Sequence, residues 1–128
     1  MGDMVEVVGF DHLVLKVADV ERSLDFYCGT LGLAPERVDE WRAGDVLFPS
    51  VRITDTAIID LLAAERTGDN VDHFCLVIAP TDLAALAASQ AFDVVGNGPA
   101  DGLFGARGVA SSLYVRDPDG NVVELRSY

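Results

Sequence analysis

An internal repeat limits what this chain can fold into. FDHLVLKVADVERSLDFY, residues 10–27, and VDHFCLVIAPTDLAALAAS, residues 71–89, each place Asp-His on an apolar run that leads into a helix-like segment. The two histidines of the chain, His12 and His73, therefore hold equivalent positions. A second echo follows each copy: AIIDLL around Asp60 matches NVVELR around Glu124, a carboxylate set in an aliphatic, β-branched run. Self-similarity at a fixed period marks repeated supersecondary units. It predicts two modules, about 5–64 and about 70–128, inside a single domain spanning 1–128.

Length and charge narrow the function. A chain of 128 residues that is 50% hydrophobic can bury one core, which favours two half-size lobes over two independent domains. A formal net charge of −12 repels phosphate backbones and anionic lipid headgroups, so neither nucleic acid nor a membrane surface is expected as a partner. Lys16 is the sole lysine, and the remaining positive charge is arginine, which leaves guanidinium clamps for an anionic substrate open. MGDMVEVVGF lacks a basic leader followed by an apolar core, and Cys28 and Cys75 have no close-set partner. Both features fit a cytoplasmic protein with free thiols.

The order of elements follows from periodicity. Residues 5–17 read as a strand with His12, Val14 and Lys16 on one face and Leu13, Leu15 and Val17 on the other. Asp19 is a good cap for a helix carrying Val20, Leu24, Tyr27 and Leu31 on one side. Strands are expected at about 36–42, 45–53 and 56–63, giving βαβββ. The second half repeats the order, with VDHFCLVIA as a strand, Thr81 or Asp82 capping a helix through Leu83 and Leu86, then DVV, SSLYVR and NVVELRS. Asp117-Pro118-Asp119-Gly120 predicts a hairpin turn between the last two. GNGPADGLFGARG, residues 96–108, has too many glycines for a regular element; it reads as a flexible connection or as a substrate lid with Phe104 and Arg107 at its tip.

Period-2 alternation puts His12, Asp60, His73 and Glu124 on the sheet face away from the helices. Two imidazoles and two carboxylates suit Zn, Ni, Co, Mn or Fe(II), with positions to spare for water or a bidentate substrate. An aliphatic strand is a costly place for a carboxylate, so Asp60 and Glu124 each need a cation or a donor. Asp60, one methylene shorter than a glutamate, is either a ligand or a supporting acid. Tyr114, on the partner strand of Glu124, and Arg126, two residues beyond it, are candidates to share a substrate cup. Trp41 and Cys75 read as packing residues.

FDHLVLKVADVERSLDFYCGTLGL, VDHFCLVIA and SLYVRDPDGNVVELRSY together resemble the vicinal oxygen chelate superfamily of glyoxalase I, bleomycin-resistance and fosfomycin-resistance proteins, extradiol dioxygenases and methylmalonyl-CoA epimerase. Small glyoxalase-domain-containing proteins, with a GARG-like turn before SLYVRDPDGN, look most similar. The resemblance implies an α+β fold of two βαβββ modules forming an incomplete eight-stranded, barrel-like cup around a divalent metal, in a homodimer. Family ligand positions fall on His12, Asp60, His73 and Glu124, drawn from one chain or from two copies.

The resemblance implies a metal-dependent lyase or isomerase of lactoylglutathione lyase type, acting on a small substrate with vicinal oxygens, in which Glu124 moves a proton at carbon; by their places in the last hairpin and at the loop tip, Tyr114, Arg126 and Arg107 are the residues expected to contact substrate. The alternative is a bleomycin-resistance-type protein that sequesters a small molecule without turnover. Several departures bear on the choice. Glyoxalase I usually has Glu, and the epimerases Gln, where this chain has Asp60. No third histidine is present for extradiol chemistry, and no lysine lies near the end of the chain for fosfomycin chemistry.

Overall fold

Strand β1, Val7–Val17, runs for eleven residues rich in valine and leucine, with no proline to stop it. The protein was described from a computed structural model, which covers residues 4–65, 68–116, 118 and 120–128. Asp117 and Asp119 of the expected hairpin turn lie outside the described residues. After β1 come α1 (Val20–Leu24), a π-helical segment (Asp25–Thr30), β2 (Ala34–Glu36), α2 (Val38–Arg42), β3 (Ser50–Thr54) and β4 (Ala57–Ala63). The second half contributes β5 (Val71–Ile78), α3 (Leu83–Ala88), β6 (Asp93–Val94), β7 (Ala100–Gly105), β8 (Gly108–Arg116) and β9 (Val122–Ser127). Contacts divide the chain into two units, His12–Asp72 on the one hand and residues up to Asp11 with His73–Tyr128 on the other.

In the His12–Asp72 unit, the 12–17 portion of β1 pairs parallel with β4, placing Val14 beside Asp60. Antiparallel β3 then sets Ser50 opposite Asp60, and β2 adds the outer strand. Asp19 caps α1 by accepting from the Arg22 amide, as its position predicts. Val20, Leu24, Val51 and Leu61 form the buried core, with Val17, Tyr27, Trp41 and Ile59 packed against it. Odd-numbered β4 residues thus meet the helix and Asp60 faces away.

The other unit orders its strands β5-β9-β8, with β6 and β7 both pairing β8. Asp82 caps α3 by accepting from the Ala85 amide. Ile78, Leu83, Leu86, Leu113, Val115 and Leu125 are its core. The register sets Cys75 and Tyr114 on either side of Glu124, and Val77 and Ser112 on either side of Arg126, all on the face opposite the helix. Both units are open sheets, closing into no barrel, and the architecture is the α+β one expected.

Three expectations change. Residues 38–42 are helical, not extended, because Val38 and Trp41 reach the core at i, i+3 spacing; a five-residue segment cannot separate that period from alternation by sequence. Leu31 is 54% exposed, because the π-helical hydrogen bond from its amide to the Phe26 carbonyl shifts the helical phase past the apolar stripe. Residues 100–105 form a strand, with a register shift between Ala100 and Leu103 around Gly102, whose φ of 69° a glycine adopts at no cost. The described residues accordingly hold nine strands where eight were expected. Among the described residues no helix is long and apolar enough to cross a membrane.

Candidate metal and catalytic site

Each unit sets one imidazole beside one buried carboxylate. In the first, His12 Nε2 stands 3.8 Å from Asp60 Oδ2, with both side chains no more than 3% exposed. In the second, His73 Nε2 stands 3.1 Å from Glu124 Oε1, and the glutamate side chain is 2% exposed. A serine holds the other oxygen of each acid: Ser50 donates to Asp60 Oδ1 at 2.5 Å and Ser112 donates to Glu124 Oε2 at 2.7 Å. The repeat seen in sequence is therefore also a repeat of hydrogen-bond chemistry.

The donor set fits a divalent ion. Both separations fall below the roughly 4.2 Å that two metal–ligand bonds of about 2.1 Å span end to end. Nitrogen from imidazole and oxygen from carboxylate are the ligands that Zn, Ni, Co, Mn and Fe(II) share. The serines act behind the acids, fixing which oxygen points forward.

Glu124 is held further by Arg126, whose Nη1 donates to Oε2 at 3.2 Å. Arg126 was expected to meet substrate in a cup, yet it is fully buried, and its Nη2 donates to the carbonyls of Leu103 and Gly108, at 2.5 and 2.7 Å. Its Nε lies 3.7 Å from Asp11 Oδ2, and its Cζ sits 4.7 Å above the Tyr128 ring. Burial disfavours its charge, but Tyr128, Asp11 and Glu124 outweigh that and raise its pKa. The turn joining β7 to β8 covers the face here, which alternation alone could not reveal.

Five contributors escaped the sequence reading. Asp11 is fully buried; it accepts from the Ala106 amide at 2.9 Å and from the Tyr128 hydroxyl, and so ties β1 to the Gly105–Gly108 turn. The repeated Asp-His pair was the available signal, although its counterpart Asp72 is exposed. Ser50 and Ser112 needed the strand register, and Tyr128 needed the turn. Gly105 belongs to the same assembly, since a Cβ there would lie 2.5 Å from Arg126 Cζ.

The remaining expected substrate residues are placed as follows. Tyr114 packs edge-on to His73, with ring centroids 5.4 Å apart. Arg107 is exposed, its guanidinium 4.4 Å above the Tyr128 ring. Phe104 is half-buried within β7, so the lid reading of residues 96–108 gives way to a paired strand and a pinned turn.

Burial raises the Tyr114 hydroxyl well above its usual 10, and the Glu124 charge raises it further. The neutral phenol is the favoured form, so its contribution to stability is complete below about pH 10 and drains away as pH climbs through the higher folded value. An alkaline titration followed by phenolate absorbance should show a late-ionising component that Tyr114→Phe removes. Its persistence in that variant would assign it elsewhere.

Comparisons with known proteins agree with this architecture. A virulence protein of Salmonella typhimurium is 29% identical over 121 residues, covering 92% of this chain and 83% of that protein. Methylmalonyl-CoA epimerase from Mycobacterium tuberculosis superposes with a TM-score of 0.65 at 19% identity, over 99% of this chain and 92% of that one. The 2,3-dioxygenase LapB from Pseudomonas sp. KL28 gives 0.68 at 18% identity, over 97% of this chain and 42% of that one. At such identities the solved structures speak to fold alone. The family model for the Glyoxalase/Bleomycin resistance protein/Dioxygenase superfamily matches residues 9–125, and the chain belongs to that superfamily.

Proposed function

We propose that the protein is a divalent-metal-dependent lyase or isomerase of glyoxalase I type, acting on a small substrate with vicinal oxygens. The observation that carries the reading is the duplicated arrangement of a histidine beside a buried carboxylate whose far oxygen is held by serine. His12 and Asp60 from one half of the repeat and His73 and Glu124 from the other would be the ligands. The ion, when bound, would supply Lewis-acid polarisation of substrate oxygens.

The chain's own residues account for the rest. Ser112 and Arg126 hold Glu124 Oε2, leaving Oε1, the oxygen nearest His73, to take a proton from carbon and return it. The Tyr114 hydroxyl, kept protonated by its surroundings, would donate a hydrogen bond to a substrate oxygen. Arg107 would pair with a substrate carboxylate. A homodimer in the cytoplasm completes the reading, and light scattering tests the dimer.

The test is reconstitution with Zn, Ni, Co, Mn and Fe(II), followed by a screen against thiol adducts of 2-oxoaldehydes. Metal-dependent isomerisation is the expected result. Protein that retains under about a tenth of an equivalent of metal per chain would end the reading, because a four-ligand set binds far more tightly. Tight binding of a small molecule without turnover would move the assignment to sequestration.

A further inference from the structure

The acidic balance of this chain makes any cation without a partner informative. Among the described residues, Arg42 pairs with Glu21 at 2.7 Å, Arg52 with Glu36 at 2.8 Å, and Arg116 with Asp93 at 3.8 Å. Arg126 is enclosed as above, Arg37 donates to the Phe48 carbonyl, and Arg107 stacks on Tyr128. Lys16 and Arg22 are the two described cations that no acid, carbonyl or ring engages. Acids flank Arg22 in sequence, but Asp19 spends its carboxylate on capping α1 and Glu21 is taken by Arg42.

Both cations line one cavity of about 300 Å³ within the His12–Asp72 unit, at the C-terminal end of β1 beneath α1 and the π-helical segment. Ser23, Tyr27 and Asn70 add neutral donors to its wall, and the Phe26 ring meets Tyr27 edge-on at 5.1 Å. No carboxylate among the described residues lines it, in a chain with 21 acids. Lys16 follows His12 by four residues on β1, which puts it about 13 Å along an extended strand. The cavity is thus separate from the histidine and carboxylate pair of its own unit.

We infer that this cavity binds a phosphate monoester, its dianionic phosphoryl group held between Lys16 and Arg22 and its organic part laid against Phe26 and Tyr27. Two cations and several hydroxyl or amide donors match a group with two charges and three acceptor oxygens. A monocarboxylate would leave one cation uncompensated. The volume exceeds what a bare phosphoryl group fills, which leaves room for an organic part. The inference stands on this cavity alone and is independent of the metal-dependent reading.

Titration of the full chain with phenyl phosphate and with inorganic phosphate, followed by amide chemical shifts at fixed ionic strength, tests it. Saturable shifts should centre on Lys16, Ser23 and Asn70, with phenyl phosphate binding more tightly than phosphate. Lys16→Gln and Arg22→Gln should each weaken binding by about tenfold or more, as loss of a charge-assisted contact implies. Lys16→Arg should retain it, which separates loss of charge from loss of fold, and Arg116→Gln should leave it unchanged. Equal shifts from chloride at matched ionic strength, shifts centred elsewhere, or binding that survives the double Lys16→Gln, Arg22→Gln substitution would each overturn the assignment.

Discussion

Arg126→Leu should lower the free energy of unfolding by about 3–5 kcal/mol, the scale on which removing one partner of a buried ion pair acts. The guanidinium is fully buried and compensates two buried acids, Asp11 and Glu124, while satisfying two carbonyls of the turn between β7 and β8. Leucine would fill much of the space yet leave the two carbonyls short of a donor and the two acids short of their counter-charge. Against a total stability of about 5–15 kcal/mol for a domain, the loss approaches the folding threshold. Arg126→Lys should recover little, since an ammonium cannot reproduce the planar fork.

Gly105→Ala attacks the same assembly from outside, because its methyl group would sit 2.5 Å from the guanidinium. It should cost about 1–3 kcal/mol, as overpacking a well-fitted site does. Urea unfolding checks all three variants. An Arg126→Leu loss under about 1 kcal/mol would mean that the network is hydrated rather than closed.

Glu124→Gln should lower kcat/KM by about 10²–10⁴ on any substrate the metal-loaded protein turns over, the usual contribution of a general base. The amide is nearly isosteric, so Ser112 can still donate to its oxygen, and the carbon framework stays in place. What is lost is the capacity to accept a proton. Ser112→Ala provides the contrast: it leaves the carboxylate but frees it to rotate, and metal affinity should fall about 10–100-fold. Cobalt-substituted protein reports both changes in its visible absorption, without recourse to turnover. Full activity in Glu124→Gln would remove Glu124 from the chemistry and with it the isomerase reading.

Much of the fold was legible because it is locally encoded. Alternation set the β1 and β4 faces, and Asp19 and Asp82 announced the two helix starts by the side-chain chemistry that caps them. Family membership was legible because the histidine and carboxylate echoes sit in fixed order along the chain. What stayed hidden depends on contacts distant in sequence. Strand parity put Arg126 on the open face correctly, but only the Asp11 and Tyr128 ties show that a turn closes over it. Glycine content argued against regular structure at 100–105, where β8 supplies the pairing that propensity withholds. VDEWR is too short to declare its period, and its helix exists because Trp41 finds the core. The serines behind Asp60 and Glu124 were invisible for the same reason, since a hydroxyl becomes meaningful only once strand register is known.

The π-helical segment Asp25–Thr30 has a consequence for length variation. A wide turn of this kind accommodates one residue beyond what an α-helix needs, so a single-residue deletion within it can be absorbed by reverting to the tighter winding. The phase correction would swing Leu31 from solvent towards Val20 and Leu24. Shorter homologues of this chain are therefore expected to lose their residue here and to carry a more continuous apolar stripe.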